Sequence, residues 1–381
     1  MSPSPSPHLP GLDLLRALAI VWVMLYHYNG PGAPLPALFS HYGGMGVDLF
    51  FVLSGYLIGW QLLQPYTVGA QPRWRTFFAR RAWRVLPAYL TVVALYFAVP
   101  AVREHGGIAP LWQFLTLTVN IDADYFHHRA FSHVWSLCVE EHFYVLLPAL
   151  LIVFAARATP YRVATLAVGL LAGGMALRAW IWHSELAPLV GVVSGEHNFY
   201  QRYIETIYYP IYTRLDGLMA GVLLAVVKGF RPAWWARAMA HPWTLLAAGL
   251  ALLGAAMLLF RDLFSMAGAI AGWPLLAIAL AGIVAALASP HGWPGRVRVP
   301  GAQPLAAMAF SLYLVHKLAY HWVGLHYGDA LAATPLFGFL VYNGAALAAG
   351  ALLYCAVERP GLRLRDRVLA APHRMSVSSG A

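Results

Sequence analysis

Arg16 and His27 share one apolar run, LDLLRALAIVWVMLYHY over residues 12–28, and both are costly inside a bilayer. If the run is helical, their eleven-residue separation returns them to nearly the same face, about 16 Å apart along the axis. A guanidinium suits phosphate recognition. An imidazole, which titrates near neutrality, suits a general base. The pair has the spacing of a conduit wall that grips a phosphate-bearing carrier at one end and meets its reactive tip at the other. A long thioester such as acyl-CoA has that shape. Two plainer readings stand beside this one: Arg16 as a topology anchor that snorkels to the headgroups, and His27 as an interfacial residue bonded to water.

Further ionisable residues fall inside apolar runs, where such groups mark a pathway or a site by default. Asp48 opens GVDLFFVLSGYLI (46–58), and Arg80, Arg81 and Arg84 belong to FFARRAWRVLP (77–87). Glu140 and Glu141 lie in WSLCVEEHFYVLLP (135–148). Arg214 with Asp216, and His316 with Lys317, complete the set. Each stretch also has a structural reading. Gly55 and Gly59 suit close helix packing, and the basic segment suits an interfacial helix on anionic lipid. Glu140 lies four residues from Ser136, so the two share a helix face; pairing with an arginine is its structural alternative.

The elements that carry these residues are built for lipid. Of the 381 residues, 60% are hydrophobic and 10% charged, against about 25% charged in soluble domains. About ten apolar runs approach the ~20 residues that cross a hydrocarbon core. They cover 12–28, 46–63, 86–101, 135–156, 163–182, 209–228, 242–260, 267–288, 303–322 and 336–356. The expected fold is an all-α polytopic membrane protein with both termini cytoplasmic. That assignment places Arg73, Arg75, Arg80, Arg81 and Arg84 inside, along with most later basic residues. Arg103, Arg129, Arg202 and Arg261 fall outside, which is the positive-inside pattern. The net charge of +10 then reports topology rather than nucleic acid.

Residues 1–10, MSPSPSPHLP, and 368–381 are expected to be disordered tails around a membrane domain over 11–367. The first run lacks the basic flank of a cleaved signal and is read as a retained anchor. Cys138 and Cys355 fall toward opposite faces, which argues against a disulfide, and two cysteines make no metal framework.

Taken in order, these stretches resemble the membrane-bound acyltransferase-3 family. The resemblance rests on Arg16 and His27, GVDLFFVLSGYLI, FFARRAWRVLP, WSLCVEEHFYVLLP, SLYLVHK (311–317) and VERP (357–360). It implies a ten-span enzyme of the bacterial inner membrane, of the stand-alone type without an appended outer domain. Such enzymes move an acyl group, usually acetyl, from cytoplasmic acyl-CoA to a hydroxyl of a saccharide or glycosylated acceptor at the outer face. Carried onto this chain, His27 becomes the general base, with a transient acyl-His27 left open. Glu140 or Asp48 orients it, and His316 falls in another of the recurrent stretches. Arg16, Arg80, Arg81 and Arg84 would hold the CoA phosphates. Lys317 or Arg214 would stabilise the oxyanion, unless either simply pairs with Asp216 or Glu140.

The segment 183–208 mixes acids, amides and tyrosines, as a sugar site would; Tyr208 and Tyr209 also suit an interfacial aromatic belt. His127, His128 and His133 near Asp122 and Asp124 have neither HExxH spacing nor a cysteine partner, so no metal is expected. The rival functions are a transporter of a polar solute and a non-catalytic subunit of a glycan export assembly. Against the transporter, the charged motifs concentrate in the first four runs without a counterpart in the later ones. The oligomeric state is left open.

Overall fold

The computed structural model describes residues 9–28, 30, 36–154, 159–195, 198–262 and 265–370. The two expected tails lie largely outside these residues. The main helices are α1 (Pro10–His27), α2 (Met45–Thr67), α3 (Trp74–Ala98), α4 (Trp135–Phe154), α5 (Pro160–Ile181) and α6 (Asp216–Phe230). They continue as α7 (Pro242–Leu259), α8 (Trp273–Leu287), α9 (Ala302–Ala332), α10 (Pro335–Leu353) and α11 (Arg359–Ala370). No named strand occurs among the described residues. Several helices open on a proline. Pro10, Pro160, Pro242 and Pro335 each open one, at the position where a missing N–H costs nothing.

Seven helical stretches among the described residues are long and apolar enough to cross a membrane, or eight if a bent pair counts as one. Together with the family described below, they make this an integral membrane protein. The three expected runs outside the seven are 86–101, 209–228 and 303–322. The first starts within α3, whose opening half is arginine-rich, and runs past its end at Ala98. The second is carried by α6, which has 15 residues and so spans about 22 Å, short of a ~30 Å hydrocarbon core. It meets a second helix, Pro232–Met239, at a 110° bend. The third lies within α9, whose 31 residues are long enough but include polar ones.

Glycine decides one contact that matters for the site. A Cβ added at Gly55 would stand 2.1 Å from the Leu218 carbonyl oxygen, and one at Gly221 would stand 2.3 Å from that of Val52. No real Cβ fits there, so α2 and α6 touch backbone to backbone. The packing reading of the glycine-punctuated run therefore holds at Gly55. Its consequence is that the first turns of α2 and α6, bearing Asp48 and Asp216, arrive side by side.

Candidate active site

α1 packs against α9, which sets His27 opposite His316. The rings lie 5.0 Å apart, with His27 Nδ1 2.9 Å from His316 Nε2. His316 Nδ1 faces the carbonyl oxygens of Leu312 and Tyr313 at 3.1 and 2.9 Å. Carbonyls only accept, so neutral His316 keeps its proton on Nδ1. Its Nε2 lone pair then receives the Nδ1–H of His27, which leaves the remaining lone pair of His27 on Nε2. His316 is fully buried, and His27 is half-buried. That geometry is the one a base and an orienting partner would need.

Glu140 and Asp48, expected to orient His27, are engaged elsewhere. Glu140 accepts from Ser54 Oγ at 3.1 Å and from the Tyr144 hydroxyl at 2.9 Å. Asp48 pairs with Arg214 at 2.7 Å, and both are buried. The Arg214 guanidinium is also boxed by aromatic rings: Trp273 at 3.6 Å, Tyr208 at 4.6 Å and Trp135 at 5.1 Å. Asp216 was a possible partner for Arg214 or Lys317, but it meets Arg178 through two bonds of 2.8 and 3.0 Å. Lys317 pairs with Glu104 at 3.0 Å. The physical reason is reach. These partners sit on different helices and loops, and helix packing rather than chain order brings them together.

Tyr208 and Tyr209 also depart from the expected interfacial belt. Tyr209 stacks on Trp135 at 5.2 Å and is buried, and Tyr208 is part of the box around Arg214. Beside them opens a small cleft. Tyr26, His41, Tyr42, Asp48, Tyr208 and Trp273 are among its walls.

The other end of α1 is basic. Arg16 bonds Asp13 at 3.2 Å, Arg81 meets Glu141 at 3.6 Å, and Arg84 meets the buried Glu358 at 3.0 Å. Arg81 lies over the Tyr144 ring at 3.7 Å, Arg16 is within electrostatic reach of Arg84, and Arg80 is exposed. The two ends are linked along α4, where Ser136, Glu140 and Tyr144 follow one another at helical four-residue steps. Ser136 bonds Tyr313 at 2.6 Å near the histidines. Tyr144, two turns on, reaches the arginines.

Comparison with known proteins decides what kind of chain this is. Residues 9–355 match a family model described as an acyltransferase domain. The chain belongs to the acyltransferase family. A Staphylococcus aureus (strain COL) protein provisionally named as an O-acetyltransferase is 30% identical over 235 residues, 57% of this chain and 34% of that protein. The O-acetyltransferase OatA of Staphylococcus aureus (strain NCTC 8325 / PS 47) is 28% identical over 238 residues, 58% of this chain and 35% of that protein. The chain thus spans about a third of the length of these relatives. No solved structure matches it.

Three residues of this acyltransferase escaped sequence reasoning. Arg178 lies within the expected span 163–182, and an arginine at membrane depth is itself the signal that was passed over. Glu104 sits in a loop and gave no signal. It accepts from the Tyr96 hydroxyl at 2.9 Å and from the Phe131 N–H at 3.1 Å, besides holding Lys317. His133 stands near His127 and His128 in sequence, yet the structure separates them. His127 and His128 pair with Asp124 at a partly exposed turn, whereas His133 is buried 5.2 Å from His316, ring to ring.

Proposed function

We propose that this protein is an O-acyltransferase of the bacterial inner membrane. It would move an acyl group, acetyl in the first instance, from cytoplasmic acyl-CoA to a hydroxyl of a saccharide or glycosylated acceptor at the outer face. The observation that carries the reading is the His27–His316 dyad at one end of α1 with the arginine cluster at the other, in a chain of the acyltransferase family. The names of the relatives favour acetyl transfer to oxygen. The ten-span topology with both termini inside belongs to the same reading, and it directs the arginines toward the cytoplasm.

In this scheme Arg16, Arg80, Arg81 and Arg84 bind the phosphates of the donor, and its thioester reaches His27. The acceptor hydroxyl gives its proton to His27 Nε2 as its oxygen attacks the thioester carbonyl. His316 accepts from His27 Nδ1–H throughout, so the imidazolium that forms stays oriented. The tetrahedral adduct collapses by breaking the carbon–sulfur bond, and the departing thiolate takes the proton back from His27. The products are an ester and free CoA. Lys317 lies within electrostatic reach of His27 and, although paired with Glu104, is the charge proposed for the oxyanion, since Arg214 is held by Asp48 and also enclosed by three rings.

The test is transfer of labelled acetyl from acetyl-CoA into non-protein material in membranes of the source organism. His27→Ala should lower transfer about 100-fold or more while leaving the yield of folded protein unchanged. Undiminished transfer by that variant removes His27 from the chemistry.

A further inference from the structure

His133 is held with unusual care for a residue that the reaction scheme above does not use. Its Nε2 lies 3.1 Å from the Tyr313 carbonyl oxygen, so that nitrogen carries the proton. The Tyr313 hydroxyl donates back to the His133 carbonyl, and Ser136 Oγ bonds the same hydroxyl at 2.6 Å. One residue of α9 thus grips His133 by both its ring and its backbone. The approach to it is constrained as well. Phe131, two residues earlier and buried, sits at φ 57°, a region costly for a bulky side chain. Its N–H is captured by Glu104 at 3.1 Å. Strain of this kind persists where the surroundings over-determine it, and it clusters at functional sites.

The result of this clamping is an imidazole whose Nδ1 is left as a bare acceptor. That nitrogen is buried and has no hydrogen-bond partner among the described residues. Its ring lies 6.2 Å from His27 and 5.2 Å from His316. A buried acceptor without a donor is unfavourable in the free protein, and an arriving O–H or N–H relieves that cost.

We propose that His133 is a substrate-binding residue whose Nδ1 accepts a hydrogen bond from a donor group on a molecule seated at His27. The inference rests on the reading of His27 as the reacting base. The donor can belong to a second hydroxyl of a polyol acceptor or to an amide N–H of the pantetheine arm of CoA. Both are neutral donors.

The test contrasts two isosteres. His133→Asn puts an amide oxygen near the position of Nδ1 but gives up the bond to Tyr313. His133→Gln puts an amide nitrogen near Nε2, keeping the bond to Tyr313, but gives up the Nδ1 acceptor. Both are checked for monodisperse elution in detergent and for melting temperature, then assayed for acetyl transfer in membranes and for binding of CoA alone. The expected result is transfer within a few-fold of wild type for His133→Asn and a tenfold or greater loss for His133→Gln. A tenfold weaker CoA affinity in His133→Gln assigns the donor to pantetheine, and unchanged CoA affinity assigns it to the acceptor. Retained transfer in His133→Gln, or equal loss in both variants, overturns the proposal. That pattern marks His133 as a structural clamp whose Nδ1 meets water only. The His27→Ala result is read separately, so failure of this inference and failure of the reading of His27 give different outcomes.

Discussion

At the scale of single residues, the candidate site is governed by a tautomer. His316 has no freedom to choose its proton position, because two backbone carbonyls hold its Nδ1. That choice passes through the 2.9 Å bond to His27 and leaves His27 basic on the nitrogen that remains. A positioning role makes a specific prediction. His316→Phe should lower turnover about 10- to 100-fold without changing the KM for acetyl-CoA, because the base loses its orientation and not its lone pair. His316→Gln, whose amide oxygen can still accept from His27, should recover part of the loss. Steady-state kinetics on both variants check this, and equal activity of the Phe and Gln variants would discard the orienting bond.

At the scale of elements, the loop before α4 is tied to α9 through Glu104. Burial pushes the Glu104 carboxyl up, but the Lys317 ammonium, backbone and side-chain hydrogen bonds outweigh it and hold the group below the usual carboxylate range. The sign follows directly. A carboxylate with a lowered folded pKa stabilises the protein in full above its unfolded value of about 4.3 and loses that contribution as pH falls through the folded value. Melting curves of wild type and Glu104→Gln should therefore differ by a constant amount above about pH 5, wild type being the more stable, and converge in more acid solution. A difference that grew on acidification would contradict the ion pair. The same tether lies next to His316 in α9, so loosening it should also disturb the dyad.

At the scale of the whole molecule, the arginine end and the histidine end are separated by most of α1 and joined along α4. Each arginine proposed for the donor at the basic end, apart from exposed Arg80, already has a carboxylate companion: Asp13, Glu141 or Glu358. A polyanionic donor must share these cations or displace the acids. If that end holds the donor, Arg81→Ala combined with Arg84→Ala should weaken CoA binding about tenfold or more and raise the KM for acetyl-CoA, with turnover at saturation little changed. Titration of CoA into purified protein measures it, and the effect should shrink as salt rises. Unchanged affinity would return these arginines to the role of lipid anchors.

What the sequence determined by itself was local. Helical periodicity placed Arg16 and His27 on one face, and composition announced lipid. The order of motifs pointed to the family that residues 9–355 match. Gly55 and Gly59 were legible as packing residues because small side chains have few other reasons to recur in a membrane helix. Partners were not legible. His27 and His316 are 289 positions apart, Asp48 and Arg214 166, His133 and Tyr313 180. No helical period reaches across such distances. Which charge neutralises which, and which imidazole orients which, is settled only when α2 and α6 close on their glycines and α1 lies down on α9. Buried polar groups must find partners wherever packing places them, so tertiary structure decided the pairs and, through them, which His27 nitrogen keeps a free lone pair.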